Sequence, residues 1–156
     1  MIGNFGVSGL HILLAEDDAL NMKVLQLMLR HMGCSVDTAS NGFEVLLALE
    51  RQSYDIILMN ICMPRMDGLT ATKIIRQRLP NERLKIIALT ASGFQGFREK
   101  CLEAGMDDYV SKPVKMGELA EMLRKYWPLH YDCDWNGLRN AICACDARRK
   151  TRLFDV

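Results

Sequence analysis

Short apolar runs alternate along this chain with segments whose apolar residues return every three or four positions. The first run, His11-Ile12-Leu13-Leu14-Ala15, has the length of a buried strand. After it, Leu20, Val24, Leu25, Met28 and Met32 keep helical spacing over 19–32, and Gly33 supplies a stop. The same alternation predicts strands over 35–39, 55–60, 85–90 and 109–111. Helices are expected around Phe43, Val45, Leu46 and Leu49, then from Gly68 to just before Pro80. Two more follow around Phe97, Cys101 and Leu102, ending at Gly105, and around Met116, Leu119, Met122 and Leu123. Five strand–helix units in succession predict an α/β fold, a doubly wound five-stranded parallel sheet with helices on both faces. Its crossovers are right-handed. The expected division is a leader over 1–10, one domain over 11–127 and a C-terminal tail over 128–156.

The polar residues that interrupt this pattern fall at one place. Glu16-Asp17-Asp18 follow the first strand, Asn60 closes the third, Thr90 closes the fourth and Lys112-Pro113 follow the fifth. All lie at the carboxyl edge of the predicted sheet, where open α/β sheets place their ligands. Two hard carboxylates, Glu16 and Asp17, suit Mg²⁺, whereas Asp18 suits a helix N-cap. Thr90 offers a hydroxyl and Lys112 a point charge to phosphoryl oxygens. An X–Pro bond such as Lys112–Pro113 is cis in about 5–6% of cases in folded proteins. Pro64 and Asp67-Gly68 shape the loop after Asn60 and the entry to the next helix. The set is that of a phosphoryl-accepting pocket lacking its nucleophile, since a carboxamide at position 60 is a far poorer nucleophile than a carboxylate.

Composition narrows the classes. The 156 residues carry a formal net charge of +1, which gives no electrostatic footprint for nucleic acid or a membrane surface. No apolar stretch reaches bilayer-spanning length, and the N-terminus lacks a secretory pattern, so a cytoplasmic location is expected. Cys34, Cys62 and Cys101 are scattered singly and read as buried thiols rather than as a disulfide framework. In the tail, Leu138, Ile142 and Cys145 keep helical spacing near Arg139, Arg148, Arg149, Lys150 and Arg152, which predicts a short amphipathic helix. His130, Cys133, Cys143 and Cys145 match no usual zinc framework.

From about His11 to Trp127 the chain resembles the receiver domain of two-component response regulators and hybrid histidine kinases. The segments that carry the likeness are Ile12-Leu13-Leu14-Ala15-Glu16-Asp17-Asp18, Met59-Asn60-Ile61-Cys62-Met63-Pro64-Arg65-Met66-Asp67-Gly68, Ala88-Leu89-Thr90-Ala91 and Tyr109-Val110-Ser111-Lys112-Pro113. The resemblance implies strand order 2-1-3-4-5, the order of the receiver protein that serves as a standard example of this rule. It implies Mg²⁺ held by Glu16, Asp17 and the backbone carbonyl of Cys62, a phosphoryl group met by Lys112, and Thr90 and Tyr109 as switch residues. It also implies a histidine kinase or phosphotransfer protein and a downstream protein as partners, no direct nucleic-acid or membrane contact, and homodimerisation left open.

The chain departs from the pattern at the phosphoacceptor. Asn60 stands at the aspartate position, so the usual aspartyl phosphate is not expected to form, and Mg²⁺ binding should weaken with the lost charge. Asp55 cannot take over, lying roughly 16 Å away at about 3.3 Å per extended residue. Either a natural pseudo-receiver or an Asp-to-Asn replacement that traps the unphosphorylated form accounts for Asn60. Freed of a neighbouring charge, the Lys112 ammonium is expected to pair with Asp17. The functional expectation is a receiver-only response regulator of a phosphorelay, not an enzyme, working through protein contacts. The alternative is an aspartate-nucleophile phosphatase-like enzyme, which would need an Asp-x-Asp pair and a cap domain that this chain has no room for. A flavin-binding domain would want phosphate-binding residues where the three acids stand.

Overall fold

The computed structural model describes residues 6–80, 83–91 and 96–127. Strands β1 (His11–Ala15), β2 (Ser35–Ala39), β3 (Ile56–Asn60), β4 (Lys85–Ala91) and β5 (Asp108–Lys112) alternate with helices α1 (Ala19–His31), α2 (Gly42–Arg51), α3 (Gly68–Arg78), α4 (Phe97–Ala104) and α5 (Met116–Tyr126). All strand pairs are parallel, in the order β2-β1-β3-β4-β5. The order expected from the resemblance is the one observed. The tail over 128–156, with its expected amphipathic helix and its His130, Cys133, Cys143 and Cys145, lies outside the described residues.

Alternation along the strands divides the interior into two layers. Leu13 and Ala15 of β1, Ile57 and Met59 of β3, and Ile86 and Ala88 of β4 face one core, closed by Val45, Leu46, Ala71, Ile75 and Cys101 of α2, α3 and α4. Ile12, Leu14, Ile56, Leu58, Ile87 and Leu89 face the other, closed by Leu25 and Leu29 of α1 and by Leu119 and Leu123 of α5. Strand β3, with a covered neighbour on each side, is buried at all five positions. Val7 and Leu10, within the stretch expected as a leader, are fully buried in the second core, and Gly9 N–H donates to the Gly33 carbonyl.

Helix entry is set by side chains that accept from the first turn. Asp18 accepts from Asn21 N–H at 2.8 Å, Asn41 from Glu44 N–H at 3.1 Å and Asp67 from Thr70 N–H at 2.7 Å. Helix α4 ends at Gly105, whose φ of 99° is the left-handed conformation such a C-terminus favours. The core stripe of α1 is Leu25 and Leu29, continued by the C-cap Met32. Leu20 and Val24, placed by spacing among the apolar set, are 72% and 43% exposed, and Leu27 joins them at 56%. Strand β4 runs one residue past Thr90, to Ala91, and β5 runs to Lys112, so Lys112 ends its strand rather than following it.

Candidate functional site

Parallel pairing of β1 with β3 brings their carboxyl ends side by side. Ala15 pairs with Met59, so Glu16 and Asn60 leave the sheet together. Glu16 is 1% exposed and Asn60 8%, the two buried polar residues of this rim. The Asn60 side-chain nitrogen, Nδ2, donates to Asp17 Oδ1 at 2.8 Å, to the Cys62 carbonyl at 3.0 Å and to Glu16 Oε1 at 3.1 Å. On its far side Glu16 Oε2 accepts from Lys112 Nζ at 2.5 Å, and Oε1 also accepts from Asp18 N–H at 3.3 Å.

The loop that carries the Cys62 carbonyl is held from below. Gly68 N–H donates to the Ile61 carbonyl at 2.8 Å, so α3 begins directly beneath Asn60. A Cβ at Gly68 would sit 2.3 Å from the Asn60 carbonyl oxygen, closer than any side chain permits. Arg65 turns the loop with a φ of 68°. The Lys112–Pro113 peptide bond is cis.

Glu16, Asp17, Asn60, the Cys62 carbonyl and Lys112 are thus brought together as a connected cluster. The Lys112 ammonium, for which Asp17 was the expected partner, meets Glu16, the buried acid, because a charge removed from water gains most from an opposite charge. Asp18 points elsewhere, capping α1. Thr90 is half-buried one residue beyond Leu89, the partner of Asn60 in the sheet. Tyr109 is 39% exposed, its ring 5.6 Å from the Arg98 guanidinium, on a shallow surface groove shared with Glu118, Met122 and Lys125. The arrangement that sequence reasoning missed is the amide's, three acceptors around one nitrogen. The available signal was Asn60 itself, since a buried carboxamide needs partners for both of its N–H bonds.

The three oxygens around Nδ2 are hard donors of the kind that hold Mg²⁺. The atom at their focus is nevertheless a hydrogen-bond donor. Among the described residues no group of three or more His, Cys, Asp or Glu side chains could hold a metal ion. As arranged, this set does not fit a cation.

A doubly wound parallel sheet with acids behind its first strand and a lysine ending its fifth defines the receiver class of signalling domain. Residues 12–124 match the family described as Response regulator receiver domain, and the chain belongs to that family. It is 37% identical over 148 residues to Probable histidine kinase 1 of Oryza sativa subsp. indica, covering 75% of this chain and 15% of that protein. It is 41% identical over 119 residues to Hybrid signal transduction histidine kinase F of Dictyostelium discoideum, covering 74% of this chain and 11% of that one. The chain therefore aligns to a small part of these long relatives.

Among solved structures, the receiver domain of sensor histidine kinase PA1611 from Pseudomonas aeruginosa is 44% identical with a TM-score of 0.70, covering 76% of this chain and 98% of that one. That structure has a magnesium ion coordinated in its active site cleft. The receiver domain of Ssk1 from Saccharomyces cerevisiae, crystallised with the histidine phosphotransfer protein Ypd1, is 27% identical with a TM-score of 0.73, covering 83% of this chain and 96% of that one. Among the described residues no helix is long and apolar enough to cross a membrane.

Proposed function

We propose that this receiver domain signals by protein contact and does not carry the usual aspartyl phosphate. The observation that supports this most directly is the placement of Asn60. Phosphoryl transfer to a receiver forms a P–O bond from a carboxylate lone pair while the donor's bond to phosphorus breaks. Asn60 has no carboxylate to supply, and its Nδ2 group is already committed to Glu16, Asp17 and the Cys62 carbonyl. In this reading Mg²⁺, which Glu16, Asp17 and the Cys62 carbonyl would otherwise ligate, is bound at most weakly. Lys112 and Thr90 remain as the phosphate-facing groups and Tyr109 as the switch residue on the α4–β5–α5 face.

The partner proposed is a histidine kinase or histidine phosphotransfer protein, with a second protein downstream. Two features support it: the likeness to a receiver crystallised with a phosphotransfer protein, and the exposed stripe of Leu20, Val24 and Leu27 on α1. That stripe begins beside Asp17 and Asp18, so a docked apolar helix would reach the rim of the site. Incubation with acetyl phosphate or a phosphorylated phosphotransfer protein is expected to leave the protein essentially unlabelled, and Asn60→Asp to restore labelling. Stoichiometric, base-labile phosphate on the unaltered chain would overturn the reading.

A further inference from the structure

The donor at the centre of this site has a consequence that reaches beyond the loss of phosphorylation and does not depend on the partner. Three oxygens, two of them formally anionic, converge within 3.1 Å of Asn60 Nδ2. All three distances are ordinary for N–H···O bonds. Turning the amide over would set Oδ1 against the same three oxygens, four acceptors with no hydrogen among them. The network itself thus decides which way the carboxamide points. With two hydrogens for three acceptors, one N–H is shared, and the neutral amide nitrogen stands at the focus of the three oxygens.

An aspartate at position 60 would change the balance. It would bring a third negative charge to Glu16 and Asp17 and remove both hydrogens. Lys112 meets Glu16 at its far oxygen, Oε2, and three carboxylates against one ammonium would draw a cation from solution to the facing oxygens. We propose that the Asn60 carboxamide is a resident substitute for a divalent cation: it holds the Glu16 and Asp17 carboxylates and the Cys62 carbonyl in their working arrangement, and makes the shape of the site independent of metal. Asn60 is a positioning residue in this role. Through the Cys62 carbonyl its grip extends to the loop between β3 and α3.

Thermal unfolding of the full chain tests this, with chelator and then with millimolar MgCl₂, for the unaltered protein, Asn60→Asp and Asn60→Ala. The unaltered protein is expected to melt at the same temperature, within about 1 °C, in both buffers. Asn60→Asp should melt at least about 3 °C lower in chelator and recover in MgCl₂. Asn60→Ala, which removes the donor without adding charge, should also melt lower in chelator. Calorimetric titration should give Asn60→Asp a Mg²⁺ affinity at least about tenfold above that of the unaltered chain.

Three results would each overturn the proposal: a magnesium-induced rise in the unaltered protein as large as that of Asn60→Asp, an Asn60→Asp protein as stable as the unaltered one in chelator, or an Asn60→Ala protein that loses nothing. If Asn60→Asp folds in neither buffer, Asn60→Ala and the magnesium titration of the unaltered protein decide. Phosphate labelling of the unaltered chain would count against the signalling reading alone and leave these melting curves unchanged.

Discussion

A carboxylate withdrawn from water persists only where donors replace the solvent, and Glu16 has three: the Asn60 amide, the Lys112 ammonium and the Asp18 N–H. Asn60 answers to the same rule from the opposite side, as a buried donor surrounded by acceptors. The thiols show the rule in its apolar form. Cys34, packed in the second core with its Sγ donating to the Val7 carbonyl at 3.5 Å, has its pKa raised by burial to about 11. Burial raises the Cys101 thiol as well, whereas the expectation that Cys62 is buried is corrected: it is exposed, because it lies on the loop that follows β3 rather than in a packed element. Because the thiolate is the reactive form, Cys34 at mildly alkaline pH holds roughly a hundredfold less of it than an ordinary cysteine. Among these three described cysteines, alkylation of the native protein followed by peptide mapping is expected to modify Cys62 first and to reach Cys34 and Cys101 only on unfolding. Early labelling of Cys34 would show that the second core opens readily.

At the level of elements, the site depends on how closely α3 begins beneath the end of β3. Gly68→Ala would press a methyl carbon onto the Asn60 carbonyl oxygen and onto Met59 Cγ, at 2.3 and 2.8 Å in the present backbone. The nearer obstacle is main chain and cannot rotate aside. A loss of about 2–3 kcal/mol in urea unfolding is expected. Unchanged stability would mean that the loop has slack. Such tight junctions explain what could be read from the sequence. Strand–helix alternation is enough to put Glu16, Asn60, Thr90 and Lys112 at one edge of the sheet, because in a parallel sheet every strand ends there. The same periodicity could not rank the apolar residues of α1. Leu20, Val24 and Leu25 all fit a helical stripe, but only the crossing of the helix over the sheet selects Leu25 with Leu29 and leaves Leu20, Val24 and Leu27 outside. Nor could it tell which acid Lys112 meets, since Glu16 and Asp17 are adjacent in sequence and differ only in which one the fold buries.

Across the whole molecule, the Lys112–Glu16 contact joins the two ends of the domain. Strands β1 and β5 are separated by β3 and β4, roughly 14 Å apart at about 4.8 Å per step, and both side chains reach inward over the intervening strand ends. Lys112→Met would take from the near-completely buried Glu16 the ammonium that balances its charge. The expected cost is about 2–3 kcal/mol, below the range for a fully enclosed pair because the lysine is partly exposed. Adding Glu16→Gln to Lys112→Met should recover more than half of it in the same urea titration. A loss that the second substitution deepens instead would show that Glu16 does not rely on this ammonium.

The two partners of that contact stand 96 residues apart. On a ribosome the acid is made early, and the lysine that neutralises it emerges only when nearly all of this domain has been synthesised. Until then the first strand ends in a charge that favours water over the interior. The nascent amino-terminal half is thereby discouraged from sealing around Glu16 before the last strand is ready to join it.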